Sequence, residues 1–320
     1  MLSRIELLNL MVRRPWLTWS KFGLMLVLMA ILGTLAWASP SAWVDWPCYV
    51  TLGYLWMSIV TFMHDATHDA LLVRPWHNWA FGIASMLLLP VSFVAFREDH
   101  LRHHRFNRST LDPDAFTMGH RRFADFLIFY LYLAVGGVLT TLQFALIFPF
   151  QHFGRRQWAI HLFEFSLKLA AYTALLSWAA GAGLVAQVLA LWLWPLLFFS
   201  AFNSLRFIAE HYETPWNQGN LAGTRTVTSN RLHSFFWNNI NWHIGHHVYP
   251  KVPWHNLVRL HERLATQIEA QGGVVDAGYA SVCWRSLWRG PESEPRLQRF
   301  LAARRQTTTR TLRFADNAQA

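Results

Sequence analysis

Five uncharged apolar stretches dominate this 320-residue chain, and several of them approach the length that crosses a lipid bilayer. They cover residues 22–38, 46–63, 79–96, 126–154 and 169–205. Hydrophobic side chains make up 53% of the chain and charged ones only 14%, which is too few charges for an ordinary soluble domain. The 18 tryptophans, many of them at the ends of these stretches, suit the aromatic belts of a membrane interface. The sequence therefore predicts an all-α integral membrane protein.

The placement of basic residues predicts the orientation in the membrane. The loop at 39–45 and the turn at Gly181 have no Lys or Arg, whereas four basic residues precede the first stretch: Arg4, Arg13, Arg14 and Lys21. Because positive residues stay on the cytoplasmic side, we expect the N-terminus in the cytoplasm. A cleaved signal peptide is the alternative, but a second apolar stretch follows at once, which favours a retained first helix.

The net charge of +10 does not predict a nucleic-acid partner. The basic residues flank the apolar stretches, where cytoplasmic positive charge and anionic lipid headgroups explain them. Cys48 and Cys283 are too few for a disulfide framework, and no CxxC pair offers an iron–sulfur or zinc site. The charge therefore indicates a membrane surface.

Nine of the 16 histidines fall in three short boxes, HDATH, HLRHH and HIGHH, and at one isolated position in AEHYE. The nine are His64, His68, His100, His103, His104, His211, His243, His246 and His247. Side chains three or four positions apart share one face of a helix, so each box presents two or three imidazoles in one direction. One metal ion rarely takes more than four to six protein ligands, so the set predicts two metal ions.

The alternative, polar histidines at the membrane edge, would suit a single HxxxH better than three boxes. The carboxylate-rich pattern of soluble di-iron bundles is missing, which favours an all-histidine pair of metals. We expect the other seven histidines to be surface or packing residues: His77, His120, His152, His161, His233, His255 and His261.

A shared site restricts the topology, because every box must reach the same side of the bilayer. This rule predicts four spans, at residues 22–38, 46–63, 162–180 and 184–205. The stretch 79–96, interrupted by Pro90, and the stretch 126–154, bent near Gly136, are then re-entrant or interfacial pieces buried against protein. Lys168 would extend its amine to the headgroups from the third span. Five or six spans, with the boxes split between the two faces, are the alternative.

No internal repeat is visible, so residues 1–288 are predicted to form one membrane domain with a cytoplasmic helical cap that holds the site. Residues 289–320 are predicted to be a basic, partly disordered cytoplasmic tail. Arginines outnumber acidic residues there, and prolines and a threonine run interrupt the segment.

Longer blocks surround the histidines. They read HDATH at 64–68, REDHLRHHRFNRSTLDPD at 97–114, RFIAEHYE at 206–213, TRT at 224–226 and NWHIGHHVYPKVPWHNLVRLH at 241–261. In content and order these blocks resemble the membrane fatty acid desaturase superfamily, the histidine-box di-iron enzymes. The combination is specific, whereas a single box would not be.

The resemblance implies two iron ions held mainly by the nine histidines at the cytoplasmic face, with dioxygen as co-substrate. It also implies two electrons per turnover from a separate donor, a ferredoxin or a cytochrome or membrane reductase. One departure stands out, since some acyl-CoA desaturases have an Asn four residues before the isolated histidine, where this chain has Phe207. Which histidine would bind which iron is not readable from the sequence.

Eight acidic residues beside the boxes are candidates to accept hydrogen bonds from the histidines and so fix their tautomers: Asp65, Asp69, Glu98, Asp99, Asp112, Asp114, Glu210 and Glu213. A helix cap or a solvated charge is the alternative for each of them. Arg206 and Arg225 are candidates to pair with these acids or with a substrate headgroup.

The favoured function is desaturation of a fatty acyl chain that enters from the bilayer. The same site would also serve hydroxylation, ketolation of a carotenoid ring, or oxidative decarboxylation of a free fatty acid to a terminal alkene. The outcome depends on where the reacting carbon lies relative to the oxidant, which the sequence does not reveal. A non-enzymatic metal carrier or haem protein fits less well, because the boxes lie outside the apolar stretches.

Overall fold

The computed structural model describes residues 2–39, 41–114 and 122–293, so His120 and most of the predicted tail lie outside the described residues. Within these ranges the chain is mostly helical. The helices are α1 (Arg4–Leu10), α2 (Pro15–Ala38), α3 (Ala42–Thr67), α4 (Pro75–Ser85), α5 (Phe93–Phe106), α6 (Phe123–Leu146), α7 (Phe148–His152), α8 (Arg155–Ala182), α9 (Val185–His211), α10 (Gly219–Ala222), α11 (Arg231–Phe236), α12 (His243–Val248), α13 (Leu257–Ala270) and α14 (Tyr279–Arg289). The prediction of a wholly helical chain missed one short parallel sheet, in which β1 (Arg225–Thr228) pairs with β2 (Val274–Ala277).

Four helical segments of the described chain are long and apolar enough to cross a membrane: Arg4–Ala38, Phe123–Leu146, Arg155–Ala182 and Val185–His211. Three of them contain predicted spans. The fourth predicted span lies in α3, which is not among the four because its Trp, Tyr, Thr and Ser side chains lower its mean hydropathy. Helix α3 is buried almost continuously from Leu52 to Thr67, so it lies in the interior of the bundle, and its crossing of the membrane stays a prediction.

Helix α6 qualifies as a span by length and hydropathy. The requirement that all boxes reach the same side of the bilayer, here called the parity rule, treats it instead as an embedded piece. The backbone of α6 is kinked at Val135, next to the predicted bend at Gly136. Both halves of the helix contact residues beside the histidine boxes: the Phe129 ring lies 6.0 Å from the Tyr212 ring, and the Phe144 ring 6.1 Å from the Phe96 ring. These contacts favour the embedded interpretation, and the number of crossings stays a prediction.

The apolar stretch 79–96 is broken between α4 and α5. Helix α4 has 11 residues and therefore spans only about 17 Å, against about 30 Å for the hydrocarbon core. The chain then runs without regular structure from Met86 to Ser92 before α5 begins. As the parity rule requires, this stretch contains no helix that could cross the bilayer.

Helices α8 and α9 form the predicted hairpin, and Gly183 ends α8. The backbone of Gly183 has a φ of 71°, a left-handed conformation that glycine adopts without a steric penalty.

One face of α8 carries polar side chains at helical spacing, which bind the irregular segment 86–92 and the start of α5. The Glu164 carboxylate accepts hydrogen bonds from the backbone N–H groups of Phe93 at 2.7 Å and Val94 at 3.0 Å. These two N–H groups begin a helix and have no partner within it. Glu164 therefore caps α5 from a neighbouring helix.

The same face of α8 satisfies two carbonyls of the segment. Lys168 Nζ donates to the carbonyl of Val91, and the Tyr172 hydroxyl donates to that of Leu87 at 3.0 Å. The prediction that Lys168 extends to the headgroups was wrong, since its amine is buried against this backbone. We call His161, Glu164, Lys168 and Tyr172 the α8 polar strip.

Helices α3 and α9 pack closely at the centre of the bundle. A Cβ atom added to Gly53 would lie 2.6 Å from Phe198 Cβ and 2.8 Å from the carbonyl of Pro195, so only glycine permits this approach. The close packing carries the ends of α3 and α9, with His64, His68 and His211, to the same end of the molecule.

The segments after α9 cover that end. Helices α12, α13 and α14 and the sheet pack there, and Val227 N donates to the carbonyl of Asn241 at 2.9 Å. The covering layer continues past the predicted boundary at residue 288, because the buried Glu292 pairs with Arg108 at 2.7 Å and accepts from Glu213 N at 2.8 Å. The boundary itself stays a prediction.

Candidate metal centre

All nine histidines of the boxes meet in one buried cluster at the covered end of the bundle. None is more than 9% exposed. His64 and His68 come from the end of α3, the HLRHH box from α5, His211 from the last residue of α9, and the HIGHH box from α12. The predicted convergence of the boxes is therefore a property of the structure.

Five histidines form a first group, in which ring nitrogens lie within 4.8 Å of one another: His64, His68, His100, His104 and His246. His68 Nε2 is 3.0 Å from His100 Nε2, and His104 Nε2 is 3.1 Å from His246 Nε2. This group could hold a metal ion.

The remaining four histidines form a second group beside the first. Nitrogens of His103, His211 and His247 lie within 4.8 Å of one another. His243 Nε2 joins them, 3.1 Å from His211 Nε2 and 3.0 Å from His247 Nε2. This group also could hold a metal ion.

Consecutive histidines divide between the two groups. His103 and His104 follow each other on α5, and His246 and His247 on α12, and each pair contributes one ring to each group. Neighbouring residues of a helix point about 100° apart, so two adjacent positions can reach two adjacent sites. The rings of His104 and His247 stack at 4.0 Å where the groups adjoin.

The histidine nitrogens have few partners from the rest of the protein. In the described residues, His64 uses neither ring nitrogen in a hydrogen bond, and neither His103 Nε2 nor His104 Nδ1 has a partner. Burial lowers the pKa of five histidines well below its ordinary value, and neighbouring imidazoles add to the effect: His100, His104, His243, His246 and His247. A neutral imidazole keeps the lone pair that binds a metal ion.

Asp112 orients one of the histidines. Its Oδ1 lies 2.9 Å from His103 Nδ1, and its Oδ2 accepts from the backbone N–H of Arg108 at 2.7 Å. Burial lowers the pKa of His103, but the hydrogen bond to Asp112 and the charges of Asp112 and Asp114 outweigh it, so the pKa is raised overall. Asp112 thus makes the contact predicted for it and leaves His103 Nε2 to face the second group.

The other acidic candidates include two that lie near a histidine of the cluster and two that pair with arginines outside it. Asp65 Oδ1 lies 3.5 Å from His64 Nδ1, and Glu210 Oε2 lies 3.5 Å from His243 Nε2. Asp69 pairs instead with Arg97, and Glu213 with Arg285 and Arg289, all of which lie outside the cluster.

The two arginine candidates also differ. Arg206 pairs with Glu210 at 2.8 Å, beside the second group. Arg225 pairs with Asp276 at 2.9 Å and donates to the carbonyl of Ala209 at 2.7 Å, so it ties the sheet to α9.

A cavity of about 80 Å³ adjoins the histidines between α3, α5, α6 and α9. Its apolar wall includes Val60, Leu89, Phe144 and Phe199. Its polar wall includes Asp99, Asp114, Tyr132, Thr140, Asn203, Arg206 and Glu210. The cavity brings an apolar chamber and ionisable groups to the same face of the cluster.

Three described histidines outside the boxes, His152, His161 and His233, belong to neither histidine group. His152 is exposed, and His233 contacts the Tyr54 hydroxyl at 3.0 Å. His161 belongs to the α8 polar strip, where its Nδ1 lies 2.9 Å from Ser92 Oγ. Sequence reasoning missed the role of this strip, although two charged residues at helical spacing within the predicted span 162–180, Glu164 and Lys168, were a visible signal.

Four apolar helices of spanning length and two adjoining groups of buried histidines define a class of protein: a membrane-type helical protein with a histidine-rich centre that could hold metal ions. The model of the family described as fatty acid desaturase matches residues 40–279, a range that contains all nine histidines. The chain therefore belongs to the fatty acid desaturase family, whose members act oxidatively on acyl chains. No curated protein matches the chain significantly.

Proposed function

We propose that this chain is an oxygen-dependent di-iron enzyme that introduces a carbon–carbon double bond into a fatty acyl chain. The observation that carries the proposal is the pair of adjoining histidine groups, buried against a partly apolar cavity. Each of the nine histidines is proposed as a metal ligand, which assigns His64, His68, His100, His104 and His246 to one iron. His103, His211, His243 and His247 are assigned to the other.

The donor set fits two iron ions. Imidazole is a good ligand for iron, and several of the buried rings have a nitrogen without a hydrogen-bond partner in the described part of the chain, His64 at both nitrogens and His103 at Nε2. Other nitrogens face a second imidazole, as His68 Nε2 does His100 Nε2 at 3.0 Å. Buried polar atoms are almost always satisfied in proteins, so this arrangement favours a ligand bound between the rings. Such lone pairs bind a positively charged metal ion.

With iron bound, dioxygen and electrons would supply the oxidant that removes hydrogen from an unactivated methylene, which no side chain can do. The chain's own residues hold and shield the site. Asp112 fixes the ring of His103 through Nδ1, while the layer formed by α12 to α14 excludes water from the covered end.

The surroundings of the cavity support a long apolar substrate. Leu89 lines the cavity, while the neighbouring Leu87 and Leu88 line an apolar groove of about 340 Å³. Pockets for small-molecule ligands commonly have about 300–1,000 Å³, so the groove suits an acyl chain better than the cavity alone does. We propose that the substrate comes from the bilayer at this side.

The proposed orientation follows from charge and parity. Basic residues precede α2, so the N-terminus, the C-terminus and the site are proposed to face the cytoplasm. A separate ferredoxin or a cytochrome or membrane reductase would deliver the electrons there.

Metal analysis and product analysis test the proposal together. Protein purified in detergent should contain about two irons per chain and no haem, and cells that express it should accumulate an unsaturated fatty acid. One metal per chain, or bound haem, would contradict the di-iron centre. If two irons are present but no new double bond forms, the result would contradict desaturation and leave the di-iron centre standing.

A second candidate reaction at the same centre draws support from the polar wall of the cavity. Asn203, Thr140 and Arg206 line it beside the histidines, where a plain methylene chain offers them no hydrogen bond. A carboxyl or hydroxyl group near the reacting carbon would do so, which suits hydroxylation or decarboxylation of a free fatty acid. Mass spectrometry of hydroxylated lipids and headspace alkenes separates these products from a desaturated acid.

A further inference from the structure

Glu210 lies at the edge of the second histidine group and is completely buried. It precedes His211 at the end of α9, and Arg206 Nη1 donates to its Oε2 at 2.8 Å from one helical turn away. The same oxygen lies 3.5 Å from His243 Nε2. The other oxygen, Oε1, is buried and has no hydrogen-bond partner among the described residues.

The ion pair with Arg206 does not explain this arrangement fully. A carboxylate has about four lone-pair sites, and Arg206 uses one of them. A buried carboxylate oxygen without a partner is costly, so the position of Oε1 indicates a ligand that the ion pair does not supply.

The two histidine groups differ in the number of donors that they offer, and counting Glu210 with the second group makes the numbers equal. The first group has five imidazoles and the second has four, while oxygen and nitrogen atoms of Glu210, His211 and His243 lie within 4.8 Å of one another. With Glu210, each group offers five donors.

The preceding turn of α9 offers no alternative metal ligand at the position one turn before His211. Phe207 occupies the position four residues before His211, and its ring lies 4.9 Å from the His211 ring. An apolar ring therefore covers this side of the group, and the carboxylate reaches the group from the adjacent position.

We propose that Glu210 is the fifth ligand of the metal ion bound by His103, His211, His243 and His247. The proposal rests on the proposed di-metal function and refines it. It makes the two sites unequal, with five imidazoles at one and four imidazoles and a carboxylate at the other. The anionic oxygen would favour the more oxidised state of its own iron, and it offsets part of the buried positive charge.

Iron content and Mössbauer spectra of protein loaded with iron-57 test the assignment without reference to turnover. The wild type should hold two irons with two unequal signals. Glu210→Gln keeps the size and removes the charge, so one iron should dissociate to a chelator at least about tenfold faster, which is the lower end expected for altered metal surroundings. Glu210→Asp should keep two irons and shift the signal of only one.

Arg206→Met is the matched control, because it removes the ion pair and keeps the carboxylate. It should retain two irons, whereas Glu210→Gln loses one. Two firmly bound irons with unchanged signals in Glu210→Gln and Glu210→Asp would overturn the proposal and leave the di-iron function standing. Equal iron loss in Arg206→Met and Glu210→Gln would also overturn it, since the pair would then act as a structural unit. A wild type without two irons would overturn both proposals.

Discussion

The histidine cluster and the α8 polar strip are both buried polar groups in an apolar protein, but their partners differ. Glu164, Lys168 and Tyr172 of the strip bind backbone N–H and carbonyl groups of a neighbouring segment. The imidazoles of the cluster mainly face one another. Because burial without a partner is costly, a satisfied polar group indicates a structural role, and an unsatisfied cluster indicates a ligand.

The largest expected effect comes from removing a member of the cluster. His104→Ala or His246→Ala should abolish turnover and lose one iron while the protein is still inserted in the membrane, because a ligand of the first group is missing. His152→Ala is the control, since His152 is exposed and distant from the cluster. Product formation by each variant in cells, with iron content of the purified protein, checks this. Wild-type activity in either box variant would contradict the ligand assignment.

Acidification should destabilise the metal-free protein through the cluster. Burial lowers the pKa of His100, His104, His243, His246 and His247, so these groups stay neutral in the folded state below about pH 6.5, where the unfolded chain takes up protons. The unfolded state then binds more protons, and stability falls by up to about 1.4 kcal/mol per pH unit for each such group.

The pKa of His103 is raised, so its contribution has the opposite sign and is lost as the pH rises through its folded value. The opposite contribution of this one histidine to the pH dependence of stability does not cancel the contributions of the other five. Thermal unfolding in detergent between pH 8 and pH 5, after chelation of the metal, measures the net effect. A midpoint that is constant or rises toward pH 5 would contradict the neutral, buried state of the cluster.

A smaller effect is expected from a substitution in the α8 polar strip. It should change stability and leave iron binding unchanged. Glu164→Leu should destabilise the protein by about 1–3 kcal/mol, because two buried N–H groups at the start of α5 lose their acceptor. Iron content should stay at the wild-type value once folded protein is isolated. Leu169→Ala, at an exposed position of the same helix, is the control for a change in α8. Iron loss in Glu164→Leu that exceeds the loss of folded protein would mean that the two regions are not separate.

The smallest effect is expected from Tyr172→Phe. This change removes one hydrogen bond, to the carbonyl of Leu87, and should cost about 0.5–1.5 kcal/mol. Chemical denaturation in detergent measures it against the wild type. A cost above that of Glu164→Leu would show that the hydroxyl, and not the carboxylate, is the main support of the segment 86–92.

Much of the site could be predicted because helical spacing is a local property. The boxes at i, i+3 and i+4 predicted rings on one face, and the need for a common site predicted that the stretch 79–96 does not cross as one helix; α4 and α5 are in fact separate. The contact of Asp112 with His103 was among the predicted possibilities, because Asp112 lies beside the HLRHH box in the sequence.

Other features depended on contacts between distant segments. Lys168 was expected at the headgroups because it lies near the start of a predicted span, yet its amine donates to the carbonyl of Val91 on a distant segment. The parallel pairing of β1 with β2 joins segments about 50 residues apart, and strands of four residues carry too little pattern to predict.

The sequence by itself determined that this chain has apolar helices of membrane length and nine histidines arranged to share a site. Composition and helical periodicity depend only on residues that are close together in the chain. Only the tertiary structure decided how the histidines divide into groups of five and four, which acidic side chain touches which ring, and that Glu210 stands beside the smaller group. The reason is geometric: adjacent residues such as His103 and His104 point in different directions, and the packing of α3, α5, α9 and α12 decides what each one meets.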